Sequence, residues 1–217
     1  MHYERQSMSN LSLANRLIDT LPSGLAGLFN PWRDNCPHDA HGNGPAEKRD
    51  RLALHLDSEA KFILVGEAPG YAGCRYSGIA FTSERLLGTG IIPRLPVSSA
   101  RLSTRRLPFS EPSATIVWNA LYRLGIAEQT LLWNALQLHP HRLDNLWSNR
   151  TPTTAELQLG EPAMRLLVTA FPAARIVAVG KHSERLLQGM GILTAGAVRH
   201  PANGGATEFF TGLKALL

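Results

Sequence analysis

Only two cysteines, Cys36 and Cys74, occur in 217 residues. That scarcity excludes a disulfide-stapled secreted scaffold and a four-thiolate iron–sulfur cluster. Both are expected as reduced thiols. No apolar run reaches the roughly 20 residues that cross a bilayer, so no transmembrane helix is expected. The residues Met1-His2-Tyr3-Glu4-Arg5-Gln6 are polar and no apolar leader stretch follows them. The expectation is a soluble, cytoplasmic protein with no membrane partner. Also missing are an internal repeat, a GxGxxG loop and a Gly-Lys-Ser/Thr phosphate loop. Cys36-Pro37-His38 with His41 matches no standard zinc spacing, so no metal is expected.

Acidic residues are also in deficit, 17 against 22 Lys plus Arg, for a net charge of +5 and a pI near 9.6. This balance suits a polyanionic partner, although mild basicity alone is common. Hydrophobic residues make up 44% and charged residues 18%, enough to bury one domain and too little charge for wholesale disorder. A single domain over 1–217 is expected, with 1–57 as a helical and irregular extension packed on it.

Continuous apolar runs at Phe62-Ile63-Leu64-Val65, Thr130-Leu131-Leu132-Trp133 and Arg175-Ile176-Val177-Ala178-Val179 end at Gly66, Asn134 and Gly180. They read as strands buried on both faces. A weaker strand is expected at 193–198. Helical patterns fall at about 10–20, 83–91, 113–124, 154–171, 182–189 and 205–216, and 31–45 reads as irregular chain. Alternating strands and helices predict a three-layer α/β/α fold with a central, mostly parallel sheet of about four strands. Ligands bind such sheets beyond the carboxyl ends of the strands. The polar residues of interest fall there. The long connection 93–112, with Arg101, Arg105 and Arg106, reads either as a phosphate-gripping loop or as a solvated one.

The chemistry concentrates in Gly66-Glu67-Ala68-Pro69-Gly70, then Gly78-Ile79-Ala80-Phe81, then Asn134, then Arg199-His200-Pro201-Ala202-Asn203-Gly204-Gly205. Glycines at a strand end admit close approach of a ligand, and Phe81 offers a flat stacking face. In this order and spacing, over roughly residues 60–217, the segments resemble the motif series of the uracil-DNA glycosylase superfamily. The resemblance implies a monomeric DNA-repair hydrolase that needs no cofactor. Its partner would be DNA carrying uracil or a related deaminated base, flipped into a pocket and cut at its N-glycosidic bond. Gly66, Ala68, Pro69, Gly70 and Tyr71 would wall that pocket and Phe81 would stack on the base. Asn134 would read N3–H and O4, and His200 would donate to O2 as charge develops there. Ala202, Asn203 and Gly204 would meet the DNA where relatives insert a wedge.

Two positions depart from the pattern. Ala68 stands where other branches carry aspartate or asparagine to position water. Glu67 is the substitute base, or the water is held by backbone carbonyls. Gly70 stands where strict uracil enzymes carry a tyrosine against the thymine methyl, so exclusion is looser or Tyr71 supplies it. The GEAPG form is most like the iron–sulfur branch. Without that branch's cysteines the chain is closer to a cluster-free bacterial subgroup. A binding relative without turnover and an enzyme acting on free nucleosides are the competing readings.

Overall fold

The computed structural model describes residues 2–97 and 100–217, with residues 2–10 by backbone only. In chain order the elements are α1 (His2–Asp19), β1 (Leu28–Phe29), α2 (Pro45–Leu56), β2 (Phe62–Gly66), α3 (Cys74–Ser77), α4 (Glu84–Thr89) and α5 (Pro112–Arg123). There follow β3 (Thr130–Asn134), β4 (His139–Pro140), α6 (Thr154–Gln158), α7 (Glu161–Ala170), β5 (Arg175–Val179), α8 (Lys181–Gly189), β6 (Gly196–Val198) and α9 (Ala206–Ala215).

The central sheet runs β3-β2-β5-β6, and all its pairings are parallel. Because side chains alternate along a strand, Phe62 and Leu64 enter one core layer with α4, α5 and α9. Ile63 and Val65 enter the other, with α1, α2, α7 and α8. Both faces are therefore covered, which is the three-layer arrangement that the continuous apolar runs required. No helix among the described residues is long and apolar enough to cross a membrane.

Three expected boundaries move. The first helix starts at His2, not near Asn10, and α2 lies in the part of the expected helical and irregular extension where no particular helix was assigned. The reason for α2 lies in tertiary structure: the outer edge of β3 needs acceptors, and His55 of α2 takes the Leu132 N–H on its Nε2 at 3.0 Å. The pattern over 154–171 is two helices, because Gly160 passes so close to β3's exit that a Cβ there would lie 1.9 Å from the Ala135 carbonyl. Thr153 and Glu156 close a capping box on α6, and Pro162 starts α7 without needing an N–H partner. The last strand begins only at Gly196.

The 93–112 connection is held from within. The Glu84 carboxylate, buried at the start of α4, accepts from Arg101 Nε (2.6 Å), the Leu102 N–H (2.9 Å), Ser103 Oγ (2.7 Å) and the Phe109 N–H (3.0 Å). Those donors hold Glu84 below the usual carboxylate range against the opposing effect of burial. Ser98 and Ser99 lie outside the described residues.

Two buried histidines tie stability to pH. His55 is held down to about 3 by burial and then by Arg94, and His139 in β4 to about 3 by burial and then by Arg75. The unfolded chain, with histidines near 6.5, binds more protons than the folded one between those values. Stability should therefore be whole above about pH 6.5 and fall by about 1.4 kcal/mol per pH unit for each histidine as acid is added, toward about pH 3. Urea midpoints at pH 7.5 and pH 5 check this. Equal midpoints would show that neither histidine is buried neutral.

Candidate active site

The strand order distributes the site. With β2 central, Asn134 lies at the end of β3 on one side and Gly180 at the end of β5 on the other, with the β6 exit and His200 beyond it. Above these ends opens a cleft of about 1380 Å³, and Glu67 to Tyr71, Phe81, Asn134 and His200 line it. The expected base-pocket residues are thus brought together.

Gly66 is the pivot. It pairs in register with Asn134, and its carbonyl accepts the Ala135 N–H at 2.8 Å. A Cβ on Gly66 would stand 2.7 Å from both Asn134 Oδ1 and Phe81 Cζ, so only glycine lets the two side chains meet over the strand end. Phe81 is held at φ +50°, a left-handed conformation unusual for an aromatic residue. Such strain costs about 1–3 kcal/mol and persists only where the surroundings impose it. Here Thr82 Oγ1 donates to the Ala80 carbonyl (3.1 Å) and accepts from Trp118 Nε1 (3.2 Å), which pins the turn. Asn134 is only 5% exposed, and its side-chain amide makes no hydrogen bond among the described residues. Its carbonyl oxygen is taken by Gln137 Nε2 at 2.6 Å, which fixes the turn behind it.

His200 faces Phe81 across the cleft, with ring centroids 6.1 Å apart. Its Nδ1 accepts the Ala202 N–H at 3.2 Å, so the neutral ring carries its proton on Nε2. Burial and then Arg199 hold His200 below its ordinary value, against the pull of Glu67. It is therefore a neutral imidazole offering one N–H. Gly205 makes this loop possible, since a Cβ there would strike the His200 carbonyl at 2.2 Å.

Glu67 turns toward the β5 side, where His182 Nδ1 lies 3.1 Å from its Oε1. Ala68 leans against the helical layer behind the sheet and offers the cleft only a methyl group. The expected DNA contacts divide. Ala202 and Asn203 line the cleft, with Asn203 at φ +53° and Gly204 at φ +79° forming the loop tip. Arg101 is engaged by Glu84, with its other nitrogens on the Arg105 and Arg106 carbonyls. Arg105 lies over the Phe109 ring at 5.0 Å and Arg106 is exposed, both away from the cleft lining.

The family model of the uracil DNA glycosylase superfamily matches residues 55–211, a span containing the sheet and the whole cleft lining. The chain belongs to the uracil DNA glycosylase superfamily. Among solved structures it is similar to wild-type SMUG2 of Pedobacter heparinus, at 15% identity and a TM-score of 0.62. That match covers 94% of this chain and 97% of that one, and at such identity it speaks to the fold. No curated protein matches the chain.

The cleft also holds residues to which the sequence pattern assigned no role. Lys181 and His182 open α8 after Gly180, and Arg199 precedes His200. A helix start with a lysine after a strand-end glycine is a phosphate signal that the pattern already contained. Glu111 precedes α5, accepts from Ser113 Oγ at 2.9 Å, and is pushed above the usual carboxylate range by burial. No motif marked it, because its position depends on Gly73, whose absent side chain leaves room for the carboxylate.

Replacing Gly66 with alanine should leave the fold intact and spoil the cleft. Displacing Asn134 and Phe81 by an ångström or so should lower catalytic efficiency by about a hundredfold, with an unchanged circular dichroism spectrum. Full activity in Gly66→Ala would contradict the close approach.

Proposed function

We propose that this protein hydrolyses the N-glycosidic bond of uracil, or of a related deaminated base, in DNA. The observation that carries the reading is that Phe81 meets Asn134 over Gly66 on one side and faces a neutral, Nε2-protonated His200 on the other. A base flipped from the duplex stacks on Phe81. The Asn134 amide, free of other partners among the described residues, supplies one acceptor for N3–H and donors for O4. Cytosine presents an acceptor and an amine at those places and leaves the amide unpaired, which is how such a site rejects it.

As the bond to C1′ lengthens, negative charge collects on O2, which is separated from O4 by N3–H. The strand order supports this placement, since His200 and Asn134 stand on opposite sides of β2. A preorganised donor at O2 contributes several kcal/mol in a dry site. Being neutral, His200 stabilises the anion without surrendering a proton. Glu67 orients the water that attacks C1′ and balances the cationic sugar, with His182 steadying its carboxylate. Three acidic side chains, Glu67, Glu111 and Glu184, line the cleft, and this favours turnover over a binding-only role. Lys181, Arg199 and the N-terminus of α8 receive phosphates. The product is an abasic site in an intact strand.

Labelled oligonucleotides with one uracil, single-stranded or opposite G or A, test this. Product should appear only after alkali, and His200→Ala or Asn134→Ala should each slow it at least about a hundredfold. DNA binding without release of uracil, hypoxanthine or xanthine would reject hydrolysis in favour of a binding protein. Because His200 acts neutral and its value is lowered by burial, activity should stay level as pH falls from 8 to 6.5. A decline beginning above 6.5 would show a histidine that is not shielded.

A further inference from the structure

The turn over 101–109 is fixed around the buried Glu84 carboxylate. Arg101, paired with Glu84, passes its other nitrogens to the Arg106 carbonyl at 3.2 Å and the Arg105 carbonyl at 2.7 Å. A second set of anchors comes from residues 38–40. The Thr104 N–H donates to the His38 carbonyl at 2.9 Å, and the Ala40 N–H to the Leu102 carbonyl at 3.0 Å. Arg101 is thus a strut, and the turn presents Arg105 and Arg106 to solvent. Arg85 joins them: its N–H donates to the Phe109 carbonyl at 3.0 Å, which sets this exposed residue of α4 beside the same turn.

Glu84 neutralises Arg101 and leaves nothing for the other three. Arg85, Arg105 and Arg106 form no ion pair among the described residues. Like charges held together on a rigid turn repel one another, and a polyanion relieves that repulsion. The patch also runs into the cleft. The Arg105 guanidinium lies over the Phe109 ring at 5.0 Å, and the Tyr71 and Trp147 rings pack edge-on against Phe109 at 5.8 Å and 5.7 Å. Tyr71 lines the cleft, as do Ser110 and Glu111, which follow Phe109 in the chain.

Tyr71 is pinned at that rim. Its N–H donates to Asn149 Oδ1 at 3.1 Å, and so does His139 Nε2, because the Nδ1 of His139 accepts from Arg75. The β5–β6 side of the cleft carries Lys181 and Arg199. A strand that crosses the cleft therefore meets cations on both flanks.

Resting on the reading that DNA occupies the cleft, we infer that Arg85, Arg105 and Arg106 form a phosphate-binding ledge for the DNA strand that leaves the cleft past Tyr71. None of the three lines the cleft. The ledge is open, which suits a sugar–phosphate backbone passing over it.

The test measures binding of a labelled, uracil-free oligothymidylate of about twelve nucleotides, within the range of a single-strand site. Wild type is compared with the triple variant Arg85→Gln, Arg105→Gln, Arg106→Gln and with a control triple, Arg16→Gln, Lys61→Gln, Lys214→Gln. The control removes the same charge from exposed positions on α1, just before β2 and on the last turn of α9. At low salt the ledge variant should lose at least about tenfold in affinity. Its slope of log K against log salt should flatten by about 2, the change expected for three phosphates of a single strand. The control should lose less than about threefold. Trp147 reports the location, being 37% exposed while the other three tryptophans are at most 3% exposed. Wild-type binding should therefore quench tryptophan fluorescence. Equal losses in the two triples, or wild-type binding without quenching, overturns the ledge and leaves the glycosylase reading standing. Absence of DNA binding by the wild type overturns both.

Discussion

The missing side chain of Gly66 is the constraint on which the rest of the cleft depends. A parallel pairing sets Gly66 beside Asn134, and the open space above its Cα admits the Phe81 ring edge and the asparagine amide together. Every other requirement follows from filling that space. Phe81 accepts a left-handed backbone to reach it, and Trp118 and Thr82 hold that turn. Gln137 fixes the asparagine carbonyl, and Ser183 Oγ ties α8 to the Val65 carbonyl one residue before the glycine, at 2.5 Å. The strand ends supply rigid positions and the loops supply the polar atoms, the division that lets open parallel sheets host chemistry.

The histidines share a second logic. His55, His139 and His200 are each kept neutral chiefly by burial, and each has one ring nitrogen committed as an acceptor. The committed partners are a strand-edge N–H, an arginine and a loop N–H. In each case the acceptor fixes the tautomer, and the tautomer fixes where the other nitrogen's proton points. For His55 this closes the sheet edge, for His139 it orients an amide at the cleft wall, and for His200 it leaves one donor facing the cleft.

Much of this was legible in the sequence, and what was not has identifiable causes. The strands and their glycine or asparagine ends announced themselves because parallel strands buried on both faces carry continuous apolar runs. The cleft walls could then be placed at those ends, and the motif residues did meet there. Helix α2 was hidden because its buried face includes Lys48, whose Nζ is satisfied by Asp39 at 2.8 Å, and His55, which serves a strand. An apolar periodicity does not register such residues. The break at Gly160 reflects a close approach to Ala135 that no local pattern encodes. The charge of Arg101 is visible in sequence and its partner Glu84 is not. Glu84 lies 17 residues earlier and was read only as part of a helix. Glu111, His182 and Asn149 belong to the cleft through tertiary contacts alone.

The central claim is that a base leaves the duplex and lies on Phe81 with its two oxygens divided between Asn134 and His200. A crystal structure of the protein with DNA carrying a non-hydrolysable 2′-fluorinated deoxyuridine measures this directly. Uracil should stack on the Phe81 ring, with O4 and N3 at the Asn134 amide and O2 within hydrogen-bond distance of His200 Nε2. A uracil that remains paired in the duplex, or one that enters the cleft with O2 turned toward Asn134, would contradict it.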